Sequence, residues 1–159
     1  TPVFIKEVKN IAQLMTVMSY DEVVIDSSKT KPVSLPALLF PSPAVQKIKL
    51  VVIARGKIIA GIDLLQLDEK KIFIKDDSVS LTLPQVKIPE AVANPSDYEI
   101  FTEEGNWTPD EVNAVKVRAR EKMIARSIQQ GVLQKAAVKS KLVIENFLRS
   151  AGFNRIAVN

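Results

Sequence analysis

The sequence predicts an α+β fold: a mostly antiparallel sheet covered by two C-terminal helical stretches, 109–130 and 132–151, with a short N-terminal helix and a short C-terminal strand. Three observations predict it. Strand-forming residues are densest from Ile48 to Leu83, and Lys57-Ile58-Ile59-Ala60-Gly61-Ile62-Asp63 is their most concentrated run. Apolar residues recur at helical spacing after Pro109. Between the two regimes stands a helix start signal, Thr108-Pro109-Asp110-Glu111: a hydroxyl to cap, a proline for the first turn and a glutamate to close a capping box.

Taken in order, Phe4 to Ala12 has helical spacing at Phe4, Val8, Ile11 and Ala12. From Gln13 the pattern turns to strand formers, giving a long strand to Asp26 with a bend or bulge at Ser19 to Glu22. The competing reading is a helix that continues to Met18. Residues 27–45 read as irregular, because Pro32, Pro36, Pro41 and Pro43 exclude a regular central strand. Leu35, Leu38, Leu39 and Phe40 lie in that segment. They are either a connection folded onto the core or a lip that touches a partner or a membrane.

Ile48 to Asp63 is one prolonged strand, in which Gly56 and Gly61 mark bulges or close backbone approach. A carboxylate after such a glycine, here Asp63, most simply bonds turn amides. Asp68-Glu69-Lys70 is a turn. Lys71 to Lys75 and Ser78 to Leu83 form a hairpin about Asp76-Asp77, with Val79, Leu81 and Leu83 inward. Val86 and Ile88 suggest a short edge strand, and Asn94 to Trp107 reads as a polar loop anchored by Tyr98, Ile100, Phe101 and Trp107. Gly131 separates the two helices, Gly152 caps the second, and Phe153 to Val158 is a last strand.

The helices differ in their apolar faces. The second carries one broad face of Leu133, Ala136, Ala137, Ser140, Val143, Ile144, Phe147 and Leu148, suited to lying on a sheet. The first carries two stripes. Val112, Val115, Ala119 and Met123 form one; Val117, Ile124 and Ile128 form another on the opposite side. One sheet covers one stripe only, so Val117, Ile124 and Ile128 need a second cover. That cover is either the other helix, folded back at Gly131 as a hairpin, or the same stripe on a second copy. The second copy is the favoured reading, which makes them the candidate self-association face of a homodimer.

Landmarks in this order resemble a bacterial family, domain of unknown function 4230. The shared features are Leu14 with Tyr20, Gly61-Ile62-Asp63 after an apolar strand, Leu83-Pro84 after a hairpin, Gly131-Val132-Leu133 with Ala136, and Leu148 with Ala151-Gly152-Phe153. The resemblance covers nearly the whole chain. It implies a membrane-anchored protein with an N-terminal transmembrane helix before an extracytoplasmic soluble domain, and it transfers no catalytic residue. A looser similarity of architecture is to stomatin/prohibitin-type domains, where strands precede long helices.

Composition bounds the chemistry. The 159 residues fit one soluble domain, and 47% apolar content supports a packed core. The chain begins at Thr1 rather than Met, so an upstream anchor or leader is expected to have been removed. A net charge of +4 permits anionic partners without singling out nucleic acid, and none is expected. With no His and no Cys, the commonest general base and the usual zinc sites are missing. The carboxylates Asp63, Asp68, Glu69, Asp76 and Asp77 lack a calcium-loop spacing, and Ser28-Lys29 and Ser140-Lys141 are merely adjacent in sequence. No catalytic residue, cofactor or metal is therefore assigned. The leading reading is a non-catalytic domain of a bacterial envelope or membrane-associated protein that acts through protein contacts with an envelope or membrane partner. The alternative is a hydrolase or small-ligand-binding protein with a pocket beside the Pro-rich segment.

Overall fold

The computed structural model describes residues 13–33, 44–89 and 95–159. Its elements are β1 (Gln13–Val33), β2 (Ala44–Asp63), β3 (Ile72–Lys75), β4 (Ser78–Leu81), β5 (Pro95–Glu103), α1 (Pro109–Gln129), α2 (Val132–Ser150) and β6 (Arg155–Val158). Short 3-10 turns at Leu64–Gln66 and Glu69–Lys71 join β2 to β3. The fold is α+β, with two mostly antiparallel three-stranded sheets in place of the single sheet predicted: β1-β2-β5 and β3-β4-β6. The predicted helix from Phe4 to Ala12 lies outside the described residues.

The chain divides into two compact units. Residues 13–19, 58–89 and 126–159 form the first, and 20–33, 44–57 and 95–125 the second.

In the first unit, β3 and β4 make the hairpin, pairing Ile72 with Leu81 and Ile74 with Val79. Asp76 supplies the turn at φ 53°, a left-handed conformation that Asp tolerates better than most residues. β6 adds to β4 in parallel, from Ser78–Arg155 to Leu81–Val158. Val79, Leu81 and Val158 bury against Ile144 and Leu148 of α2, together with Ile62, Leu64 and Leu67. Each buried Leu or Ile there contributes about 1.5–3 kcal/mol. The buried row of α2 is narrower than the predicted face: Val132, Ala136, Ser140, Ile144 and Leu148 lie at strict i,i+4 spacing. Ala137 and Val143 stay exposed, because the contact is one row wide and Ala137 faces a hollow rather than a strand.

α2 ends in a Schellman motif. The Phe153 N–H donates to Leu148 O at 3.2 Å, and the Gly152 N–H to Arg149 O at 3.1 Å, with Gly152 at φ 97°. Phe153 then packs on the Leu148 cluster, as the motif's apolar contact requires. Gly131, at φ 79°, performs the corresponding break between α1 and α2.

In the second unit, β2 and β5 pair antiparallel with two register shifts. Val51 faces Thr102 while Val52 faces Ile100, so Phe101 is an extra, outward residue on β5. The second shift falls between Arg55 and Gly56. Leu50 and Val52 pack on Val115 of α1, flanked by Ile25, Tyr98, Trp107 and Val112. The α1 entrance is a reciprocal capping box. The Glu111 N–H donates to Thr108 Oγ1 at 3.3 Å, and the Thr108 N–H to Glu111 Oε2 at 2.7 Å.

Four expectations need correction. First, 27–33 and 44–45 are strand, not irregular. Pro32 is compatible because β1 lies at the edge of its sheet, where a missing N–H breaks no ladder on the open side. Pro36, Pro41 and Pro43 lie outside the described residues. Second, Pro95–Glu103 is a strand rather than a loop. Its two shifts break the alternation that marks a strand in sequence. Third, in-out alternation runs unbroken from Val17 to Thr30, so no bulge slips the side-chain phase at Ser19 to Glu22, and the helical reading to Met18 fails. Fourth, near Val86 and Ile88 there is a single bridge, Lys87 to Gly61, rather than a strand.

Candidate functional site

The two residues singled out in the strand-end turn meet different partners. Gly61 is buried and bonds Lys87 through both backbone groups, at 3.1 and 2.9 Å. Asp63 caps the following 3-10 turn, accepting from the Leu65 N–H at 3.1 Å and Gln66 Nε2 at 3.0 Å. The lip residues Leu35, Leu38, Leu39 and Phe40 lie outside the described residues. A depression of about 280 Å³ does sit at the described end of that segment, lined by Lys29, Thr30, Lys31, Pro32, Ile48 and Asn106.

The carboxylates weighed for a metal are spread apart in their roles. Asp68 caps the turn at Glu69–Lys71. Asp77 accepts from Arg155 at 2.7 Å and from Asn154 at 3.4 Å. The Arg155 guanidinium, and then the Asn154 amide, hold the Asp77 carboxyl below the usual carboxylate range. Among the described residues no three carboxylates converge as a metal site. Ser140 is buried and bonds Thr16 Oγ1 at 3.1 Å rather than Lys141.

Two polar nodes in the second unit were not legible in sequence. Lys29 Nζ reaches both Glu111 oxygens at 2.7 Å and lies 4.6 Å from the Trp107 ring centroid. It thereby joins β1 to the capping box across 82 residues of chain. Lys29, and then the Thr108 backbone, lower the Glu111 pKa. On the open side of β2, Arg55 bonds Glu22 at 2.6 Å and Glu99 at 2.9 Å, with Asp97 at 3.7 Å. The Glu99 and Glu22 bonds raise the Arg55 pKa. Its side chain is 42% exposed, so this network orders the face more than it stabilises the fold.

Two of the exposed apolar surfaces involve the helices. On α1, Val115, Ala119 and Met123 are buried, while on the opposite side Val117 is 45% and Ile128 41% exposed, with Ile124 intermediate. In the first unit, a hollow of about 340 Å³ opens beside α2. Ile62, Leu83, Pro84, Val86, Ala137 and Val138 supply its apolar lining, and Gln85, Ser140, Lys141 and Asn159 its polar lining. The sequence signal that could have found it was the run of small residues Ala136, Ala137 and Ser140 on the apolar face of α2. No helix of the described residues is long and apolar enough to cross a membrane.

These features define an α+β fold with one helix packed on a sheet in each unit, in which Asp63, Asp68, Asp77 and Glu111 serve caps and ion pairs. The chain belongs to the family DUF4230, described as a protein of unknown function, and the match covers residues 6–158. No curated protein and no solved structure matches it.

Proposed function

We propose that this domain is non-catalytic and works through protein contacts, the first of them with a second copy of itself. One observation carries the reading: α1 buries one apolar stripe and leaves Val117 and Ile128 of the opposite one exposed, with Ile124 half-buried between them. A two-fold axis would pair identical stripes, with the stems of Arg118 and Lys122, whose heads bond Ser27 Oγ and Val24 O, at the rim. The setting proposed is a bacterial envelope or membrane-associated protein, held by an anchor upstream of the domain. Its support is the resemblance to membrane-anchored members of the family.

Sedimentation at micromolar concentration tests the contact. The wild-type chain is expected to be a dimer. Val117→Glu and Ile124→Glu each place an unpaired charge in the interface and should give folded monomers. A wild-type monomer overturns self-association. Fractionation of the full-length gene product tests the setting, which fails if the product is recovered wholly free of membrane.

A further inference from the structure

We propose that the hollow beside α2 binds an unbranched aliphatic chain ending in a single negative charge. This surface is distinct from the α1 stripe, and its test does not depend on the oligomeric state. Three features of the hollow select that chemistry. Its walls are Ile62, Leu83, Pro84 and Val86 on one side of the sequence and Ala137 and Val138 on α2. They favour hydrocarbon. At about 340 Å³, and ~30 Å³ for each water-sized group, it holds roughly eleven heavy atoms, the size of a medium-length chain.

The polar lining then sets the charge of the ligand. Thr16 Oγ1 donates its one proton to Ala136 O at 3.2 Å, so the 3.1 Å contact with Ser140 uses the Ser140 proton. Ser140 therefore offers no donor to the hollow. Lys141 is the charged side chain in the lining, half-exposed, and its ion pair with Glu145 is long at 4.0 Å. Its other donors are hydrated and can turn to an anionic head. Lys135, Lys139 and Arg149 on the same helix are exposed, against Glu145 alone, so the field outside the hollow also favours an anion.

An extended peptide fits less well. Strand addition needs a row of open backbone groups, but the Leu83 N–H donates to Asn159 O at 2.7 Å and Lys87 bonds Gly61 through both its groups. The wall offers side chains instead. Such a chain can come from a free carboxylate or from an anionic lipid.

Decanoate titrated into the ¹⁵N-labelled protein, followed by amide correlation spectra, tests the proposal. Saturable shifts are expected at Ile62, Leu83 to Val86 and Ala137 to Lys141. Ala137→Phe fills the hollow from an exposed position and should abolish them with an unchanged melt; Ala137→Leu is the milder second variant. Lys141→Gln should weaken decanoate roughly fivefold, the worth of one opposite charge at a protein surface, and leave decan-1-ol unchanged. Co-sedimentation with phosphatidylglycerol vesicles separates the sources: capture that Ala137→Phe abolishes assigns a lipid chain, and decanoate binding without capture assigns a free one. Absence of saturable binding to either, binding indifferent to both Ala137 variants, or equal loss of acid and alcohol in Lys141→Gln overturns it.

Discussion

Gly131 and Gly152 stand at the two ends of α2, and their substitution isolates a single physical term. Both sit in the left-handed region, at φ 79° and 97°. A Cβ built at Gly152 meets nothing within 4 Å, and one at Gly131 meets only Gln134 Oε1 at 3.6 Å, an ordinary contact. Alanine at either position therefore costs backbone conformation and no packing. An L-residue in that region costs about 1–2 kcal/mol. Removing a glycine from the unfolded chain returns roughly 0.4–1 kcal/mol. The net loss is about 1 kcal/mol per site, or a fall of ~2–4 °C in the melting midpoint for a chain of this length.

Urea and thermal unfolding of Gly152→Ala and Gly131→Ala measure it. Gly152→Asn should lose less, because asparagine tolerates this conformation. A D-alanine at 152, introduced by ligating a synthetic C-terminal segment, should raise stability above wild type, since it adopts positive φ without the penalty and still restricts the unfolded chain. If L-alanine leaves the midpoint unmoved, or D-alanine lowers it as much as L-alanine does, the left-handed cap is not what holds the end of α2.

Three further outcomes are expected. Gly61→Val, at a position buried and bonded to Lys87 through both backbone groups, should destabilise by roughly 1–3 kcal/mol; an unchanged thermal melt would count against close approach there. Calcium or magnesium should leave the melt unmoved, because Asp77 is already held by Arg155 and Asn154; a shift near the 2.7 kcal/mol of a saturating ligand, lost in Asp76→Asn, would reverse that. Glu111 has a lowered pKa in the folded chain, so its stabilisation is present above the unfolded carboxyl value and is lost as pH falls through the lower folded value. Carbon-detected titration should show that midpoint rise towards the ordinary range in Lys29→Met, and an unmoved midpoint would remove Lys29 as the first cause.

Sequence revealed the parts of the fold whose cause is local. The capping box at Thr108, the stop at Gly152 and the Asp76-Asp77 turn are each set by two to four neighbouring residues, and each stands where those residues place it. Elements set by partners were hidden. β5 owes its strand to β2, and its shifts at Phe101 and beside Gly56 erase the two-residue period by which a strand is recognised. The end of β1 was hidden for the opposite reason. Pro32 forbids a central strand but not an edge one, and strand order is a property of the assembled sheet. The Lys29 node and the hollow beside α2 likewise join residues far apart in the chain, Lys29 to Glu111 and Leu83 to Lys141.

The candidate surfaces follow the same division. Periodicity shows that a helix has an apolar stripe, because the stripe is a property of one helix. It does not show what lies against it. On α1 the stripe of Val115, Ala119 and Met123 is buried, Val115 against β2, while Val117 and Ile128 of the other stripe stay exposed. The two are of similar chemistry, and only the fold distinguishes them. On α2 the predicted broad face was divided again: its i,i+4 row is buried, while Ala137 was left to line a hollow. Charge does not tell these open surfaces apart, since cations flank both: Lys116, Arg118, Arg120, Lys122 and Arg126 against Glu121 on α1, and Lys135, Lys139, Lys141 and Arg149 against Glu145 on α2. Their form does: the α1 surface is a stripe along one helix, which an identical stripe can pair with, whereas the α2 surface is a hollow of about 340 Å³ that only a chain narrow enough to enter can fill.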